Sequence, residues 1–238
     1  MSRGVSVLIE RVVAPYFETN CWILAPESGQ ECVIVDPGIG KPDLVKNVKD
    51  KLESHNLKPI AVLITHGHLD HFFSVFPLTK EIPMQTYITK TDRFLLENPM
   101  GALDKGGVSE QILEAFGAKN LKEPADVVEL EDFSKLVLAD LNMEVAFAPG
   151  HTKGSVMFTV DDAHLISGDV LFAGSIGRTD LPTGSAQDMK KTLRERILTL
   201  PDHLNVLPGH GGQTTIGTER VRNPYLQNDF LNQSGWCI

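Results

Sequence analysis

Short apolar runs recur along the chain, at 5–9 (VSVLI), 21–25 (CWILA), 32–35 (CVIV), 60–64 (IAVLI), 144–148 (EVAFA), 155–160 (SVMFTV), 164–166 (HLI) and 205–207 (NVL). Their length and aliphatic content predict strands. Several are apolar at successive positions rather than alternating, which predicts strands covered on both faces. Between them, 42–54 sets Leu44, Val45, Val48 and Leu52 on one helical stripe, with Pro42 suited to the first turn. Residues 185–200 repeat the pattern with Met189, Leu193, Ile197 and Leu200. There Ser185 and Asp188 are suited to open the helix and Pro201 to end it. Strands interspersed with amphipathic helices predict a layered α/β sandwich rather than a helical bundle. Residues 92–135 are the least regular, with scattered charges and a loop-like MGALDKGG at 100–107, and are expected to form a mobile flap.

At 238 residues the chain can bury a full core, and a single domain over 1–238 with a short helical tail from about 214 is expected. The net charge of -9 argues against a broad grip on nucleic acid, which directs attention to a small, locally recognised substrate. Cys21, Cys32 and Cys237 are far apart and form no C-x-x-C pair, so neither a disulfide framework nor a thiolate metal site is indicated. Cys21 and Cys32 lie in apolar runs and read as core residues, and Cys237 as an exposed thiol. The N-terminal apolar run is interrupted by Glu10 and Arg11, and no run is long enough to span a membrane, so a cytoplasmic location is the expectation.

The chemistry concentrates at 64–72, ITHGHLDHF, where three of the eight histidines fall within six residues beside an aspartate. This cluster follows the strand IAVLI. The same arrangement recurs where EVAFA runs into Pro149, Gly150 and His151, where HLI runs through Ser167 and Gly168 into Asp169, and where NVL runs through Pro208 and Gly209 into His210. Each of these three later strand ends delivers one metal-capable side chain, so four strand ends could share a cleft. Imidazole nitrogens and carboxylate oxygens suit zinc and other borderline divalent ions, with iron and manganese as alternatives. Seven candidate ligands are too many for one ion. Three imidazoles (His66, His68, His151) for one, Asp70, His71 and His210 for a second, and Asp169 bridging account for all of them. A lone strand-end histidine or an SGD aspartate is more often an ordinary polar residue, but the four donors packed in one loop make the metal reading the better one. Asp36, in VIVDPG, also follows an apolar strand and either orients a ligand or makes an Asp-Pro-Gly turn. His55, His164 and His203 lie outside the pattern and read as surface or edge residues.

H-x-H-x-D-H at 66–71, with His151, Asp169 and His210 in order, resembles the metallo-β-lactamase superfamily over nearly the whole chain. The resemblance implies a four-layer αββα sandwich with metals at one edge. P-G-H-T-x-G-S at 149–155 and G-R-T-D at 177–180 are similar to the hydroxyacylglutathione hydrolase (glyoxalase II) group, and also to persulfide dioxygenases. Flavodiiron proteins usually carry Glu where His68 stands. Only 211–238 follows the last histidine, short of the glyoxalase II glutathione-binding extension, although Arg220, Arg222, Asn223 and Tyr225 could replace part of it.

Two divalent ions roughly 3.5–4 Å apart lower the pKa of a bridging water toward 7. The expected activity is therefore hydrolysis of a small acyl thioester, a glutathione conjugate among the candidates, because a thiol leaves without a strong general acid. Asp70 is the expected catalytic carboxylate, and Arg178 and Tyr225 the expected substrate contacts. The alternatives are a lactonase, a mononuclear iron persulfide dioxygenase using two histidines and Asp169, and a module that holds metal for stability alone. No membrane or nucleic-acid partner is expected, and monomer and dimer are both open.

Overall fold

The computed structural model describes residues 7–40, 44–102, 111, 115–117 and 121–232. Two six-stranded sheets form the centre. The first holds β1 (Leu8–Val13), β2 (Asn20–Ala25), β3 (Glu31–Val35), β4 (Lys58–Leu63), β5 (Gln85–Thr89) and β6 (Val127–Leu130) in chain order, antiparallel from β1 to β3 and parallel from β3 to β6. The second runs β7 (Lys135–Leu138), β8 (Leu141–Phe147), β9 (Val156–Val160), β10 (His164–Gly168), β11 (Asn205–Pro208) and β12 (Thr214–Thr215), antiparallel except between β10 and β11. Parallel neighbours need a crossover. Helix α1 (Leu44–Ser54) joins β3 to β4. Helices α2 (Leu69–Phe72) and α3 (Val75–Glu81) join β4 to β5, and α4 (Lys90–Arg93) follows β5. Helix α5 (Ala186–Thr192), continued by a π turn over Leu193–Ile197, lies between β10 and β11.

The unalternated runs are explained by three apolar layers. Trp22, Leu24, Val33 and Val35 of the first sheet meet Val145, Phe158, Ile166 and Leu207 of the second. On the outer face of the first sheet, Cys21, Ile23, Ile34 and Val62 pack against Leu44, Val48, Leu52 and Leu78 of the helices. On the outer face of the second, Met157, Leu165 and Val206 pack against Met189, Leu193 and Ile197. Strand β2 thus turns its even positions to the facing sheet and its odd positions to helices, and all six of its residues are buried. The result is the expected αββα sandwich. Ser185 opens α5 as expected, its Oγ accepting from Asp188 N–H at 3.1 Å.

Several expectations need correction. Positions 5 and 6 lie outside the described residues, among which the first strand is Leu8–Val13, extending past the expected end at 9. It is an edge strand with a wet face, so Glu10 and Arg11 belong inside it, and Glu10 pairs with Lys51 (2.7 Å) and His55 (3.0 Å). The segment 92–135 is not one flap. It contains tight turns at Phe94–Leu96 and Pro99–Ala102, then β6, which pairs in parallel with β5 from Thr86↔Val127. Strands β6 and β7 mix polar with apolar residues because each presents a partly exposed face, whereas β5 buries its polar Thr86 and Thr89 and exposes only Gln85 at its start. Positions 103–107 of the loop-like stretch, Pro42 and Cys237 lie outside the described residues. After β12 the chain forms α6 (Ile216–Arg222), a turn at Pro224–Leu226 and α7 (Asn228–Leu231). Among the described residues, no helix is long and apolar enough to cross a membrane.

Candidate metal centre

The ends of β3, β4, β8, β10 and β11 lie at one edge of the sandwich and deliver Asp36, the 66–71 segment, His151, Asp169 and His210. Three imidazoles face one another there. His66 Nε2 is 3.1 Å from His68 Nδ1, which is 2.7 Å from His151 Nε2. Beside them, His210 Nε2 is 3.3 Å from both His71 Nε2 and Asp70 Oδ2. Asp169 lies between the two groups, 3.5 Å from His71 Nε2, His151 Nε2 and His210 Nε2. The structure therefore brings all seven candidate donors together.

This donor set fits divalent cations. Opposed ring nitrogens at such distances either share protons or point their lone pairs at a common ion. Burial disfavours protonation, holding His66 well below the ordinary imidazole range and, with the charge of His151, bringing His68 down to about 3. Asp169 Oδ1 is buried with no hydrogen-bond partner, an arrangement proteins rarely leave uncompensated. Neutral imidazoles and ionised carboxylates are the ligand forms that borderline divalent ions take.

Backbone geometry makes room for the cluster. Gly168 has a left-handed φ of +49°, and a Cβ there would stand 2.5 Å from Thr65 Oγ1. At Gly209 a Cβ would collide with Asp169 Oδ1 and come within 2.7 Å of His71 Cε1. Both glycines stand immediately before a donor.

A ring of neighbours fixes the donors' orientation. Asp36, itself at φ +48°, accepts from Thr65 N–H (2.8 Å) and Thr65 Oγ1 (2.7 Å), and its Oδ2 lies 3.0 Å from His71 Nδ1. That contact commits Nδ1 and leaves Nε2 for the centre. The Arg178 carbonyl does the same for His151, at 2.8 Å from Nδ1. Thr19 Oγ1 donates to Asp70 Oδ2 at 3.1 Å.

Asp92 was not anticipated from the sequence. Fully buried, it accepts from Gly67 N–H (2.8 Å), Gly154 N–H (2.9 Å) and Thr152 Oγ1 (2.7 Å), so one carboxylate fastens the 66–71 loop to the 149–155 loop. Burial outweighs these three bonds and raises its pKa above the ordinary value. The sequence carries little signal for it, since Asp92 lies inside α4 and not directly after an apolar run as Asp36 does.

Charge divides the two donor groups. Burial opposes protonation of His71, but Asp169, Asp70 and Asp36 surround it and hold its pKa well above the ordinary range. His210 is raised in the same way, against burial, by Asp70 and Asp169. Burial would raise both carboxylates. The neighbouring His71, with further imidazoles, instead carries Asp169 down to about 2 and Asp70 lower still.

A cavity of about 340 Å³ opens onto the donors, walled by Phe17, Ile39, Leu69, Phe172 and Leu181. Arg178 lines it, with its guanidinium held on Asp180 by two bonds of 2.7 and 2.8 Å. Tyr225 is a correction. It does not line this cavity but packs its ring on Phe230 at a centroid distance of 5.0 Å, because the tail folds onto the outer face of the second sheet. Of the histidines outside the pattern, His55 pairs with Glu10, His203 meets the Asp162 carbonyl at 2.8 Å, and His164 sits half-buried in β10. Cys21 and Cys32 are buried, and burial pushes the Cys32 thiol up to about 12 and Cys21 higher.

An αββα sandwich carrying a histidine and carboxylate metal centre at one sheet edge defines a class of metal-dependent hydrolases. Residues 14–210 match the model of the metallo-β-lactamase superfamily, and the chain belongs to that family. It is 36% identical over 215 residues to the "Probable metallo-hydrolase YqgX" of Bacillus subtilis, covering 90% of this chain and 95% of that one. To the hydroxyacylglutathione hydrolase GloC of Haemophilus influenzae it is 30% identical over 223 residues, covering 92% and 98%. Among solved structures, the BLEG-1 B3 metallo-β-lactamase superposes with a TM-score of 0.76 at 31% identity, covering 93% of this chain and all of that one. TTHA1623 in a di-iron-bound form superposes with a TM-score of 0.75 at 32% identity, covering 91% and 100%.

Proposed function

We propose that the protein hydrolyses small acyl thioesters at a two-ion centre. In this reading His66, His68 and His151 hold one divalent ion, Asp70, His71 and His210 the other, and Asp169 both. The observation that carries it is the pair of three-donor groups sharing Asp169 at the floor of an apolar cavity. When bound there, two divalent ions lower the pKa of water toward about 7 and polarise a carbonyl oxygen. Zinc suits the nitrogen-rich set, and the di-iron form of TTHA1623 makes iron the natural competitor.

The protein's own groups do the rest. Asp70 lines the cavity, is kept ionised by His71 and is oriented by Thr19, so it is placed to hold an ion and to accept a hydrogen bond that orients the attacking water. Asp36 and the Arg178 carbonyl keep His71 and His151 in the tautomers that turn Nε2 inward. The described residues lining the cavity include neither Lys nor Tyr to protonate an amine leaving group. A thiol of pKa about 8.5 departs as thiolate without such help. The likeness to GloC supports a thioester and makes S-lactoylglutathione the first compound to try.

The test is metal analysis joined to a panel of S-lactoylglutathione, simple S-acyl thioesters, a lactone and glutathione persulfide. The expected result is close to two ions per chain and thiol release that follows ion content. Oxygen consumption with the persulfide, no thiol released from any thioester, and one iron per chain would overturn the proposal.

A further inference from the structure

We infer that the site selects its substrate through a neutral, apolar acyl group lodged against Phe17, Ile39, Leu69, Phe172 and Leu181, rather than through charges on the thiol. This rests on the thioester reading and assigns what that reading leaves open.

Both phenylalanines of this wall are held in place by the centre's own scaffold. Phe17 lies in the β1–β2 turn with Glu18, at φ +62° and +56°, a left-handed conformation that bulky residues seldom adopt. Ala14 N–H bonds the Thr19 carbonyl at 2.8 Å to close that turn. Thr19 bridges to His210, and Asn20 N–H donates to the Gly209 carbonyl at 2.7 Å. Phe17 is thus projected from a turn anchored on a donor segment and remains half-exposed, an apolar ring that nothing among the described residues fully covers. Phe172 stands opposite, its ring 6.1 Å from that of His210. Its turn closes through Phe172 N–H to the Ser175 carbonyl at 3.0 Å. The tail braces it: Asn223 Nδ2 donates to the Ser175 carbonyl (3.0 Å), and the buried Glu219 accepts from Gly174 N–H (2.7 Å). The described part of the tail, up to 232, therefore shapes the pocket without lining it.

Charge points the same way. Among the described residues lining the cavity, Arg178 is the only Lys or Arg, and Asp180 engages its guanidinium at two points. A glutathione conjugate presents two carboxylates, which need cations to repay their desolvation. A volume of about 340 Å³ stands at the small end for ligand pockets, where a short acyl chain and its thioester fit and a peptide conjugate extends beyond the walls.

The experiment uses the metal-loaded protein and thioesters of a single thiol, N-acetylcysteamine, carrying acetyl, butyryl, hexanoyl and lactoyl groups, with S-lactoylglutathione alongside. The expected kcat/KM rises about threefold per methylene from acetyl to hexanoyl, mostly through KM. Phe172→Ala and Phe17→Ala should each cut the hexanoyl-to-acetyl ratio about tenfold. Binding of acetohydroxamate, butyrohydroxamate and hexanohydroxamate by calorimetry supplies a readout that needs no turnover, with the same gradient expected. A flat profile in both series, or S-lactoylglutathione outperforming hexanoyl through a lower KM, overturns the inference. If no thioester is hydrolysed but the hydroxamate gradient persists, the thioester reading fails and the apolar wall stands. Thioesters turned over with a flat profile, together with hydroxamates bound without a gradient, would mean the reverse.

Discussion

Replacing Asp92 should loosen the metal centre without touching a single donor. In Asp92→Ala, the N–H groups of Gly67 and Gly154 and the hydroxyl of Thr152 lose their acceptor inside a buried site. Thr152 can turn toward Ser155 Oγ, already 2.9 Å away, but the two backbone donors cannot rotate to other partners. An unsatisfied buried donor costs about 1–3 kcal/mol. Two of them, with the cavity left by the carboxylate, amount to about 3–5 kcal/mol, a large share of a domain's typical 5–15 kcal/mol. The wild-type charge is itself expensive to bury, as its raised pKa records, so the loss comes from stranding its partners rather than from removing a favourable charge. Asp92→Asn keeps one acceptor oxygen and should cost about half as much. Groups that orient ligands typically change metal affinity by about 10–100-fold. Denaturant unfolding of the metal-free proteins measures the first effect, and competition with a chromophoric chelator the second. A stable Asp92→Ala protein with wild-type metal affinity would refute the idea that this carboxylate couples the two loops.

Metal binding near neutral pH should release protons, because His71, surrounded by three carboxylates, holds a proton that a metal must displace; calorimetry in buffers of different ionisation enthalpy measures this. With its folded pKa raised, His71 stabilises the metal-free protein fully below about pH 6.5, and that contribution fades as pH rises through the raised value, which unfolding curves at several pH values should show. Asp169 behaves oppositely: its folded pKa of about 2 gives stability that is present above about pH 4 and lost on acidification toward 2. Asp36→Asn should leave the fold intact but weaken metal binding by at least about tenfold, as seen in metal titration, because His71 loses the partner that sets its tautomer. Phe158→Ala, emptying a fully buried site between the sheets, should cost about 3–5 kcal/mol by denaturant unfolding.

How much was legible in the sequence follows from how each residue does its work. The donors and the central strands were readable because a strand covered on both faces must be apolar throughout, and a donor at its end stands out against that run. Asp36 was readable by the same rule, although only the structure separates a ligand-orienting aspartate from a turn residue. Strands β5, β6 and β7 were not readable. In β5 the buried Thr86, Tyr87 and Thr89 break the apolar run, and in β6 and β7 the exposed positions admit Glu129 and Lys135. Tyr225 was misplaced because an aromatic residue in a short tail suits a core contact as well as a pocket, and the packing surface beneath the tail decides between them.

The precision of the centre depends on joining two sheets that share no backbone pairing between their named strands. Trp22 Nε1 and Asn20 Nδ2, both from β2, donate to the Pro208 carbonyl at 3.0 Å each, tying the first sheet to the strand that delivers His210. Across the same edge, Val156 N–H donates to the Thr65 carbonyl at 2.9 Å, linking the start of β9 to the residue before His66. Each bond is buried where water cannot compete, so sliding one sheet past the other by even an ångström strands a donor or acceptor at a cost of about 1–3 kcal/mol. The apolar layer between the sheets permits such sliding more readily than these bonds do, since dispersion contacts are non-directional. A centre in which each donor group takes ligands from both sheets therefore draws its register from a few polar contacts at its own rim, and its rigidity from the core behind them.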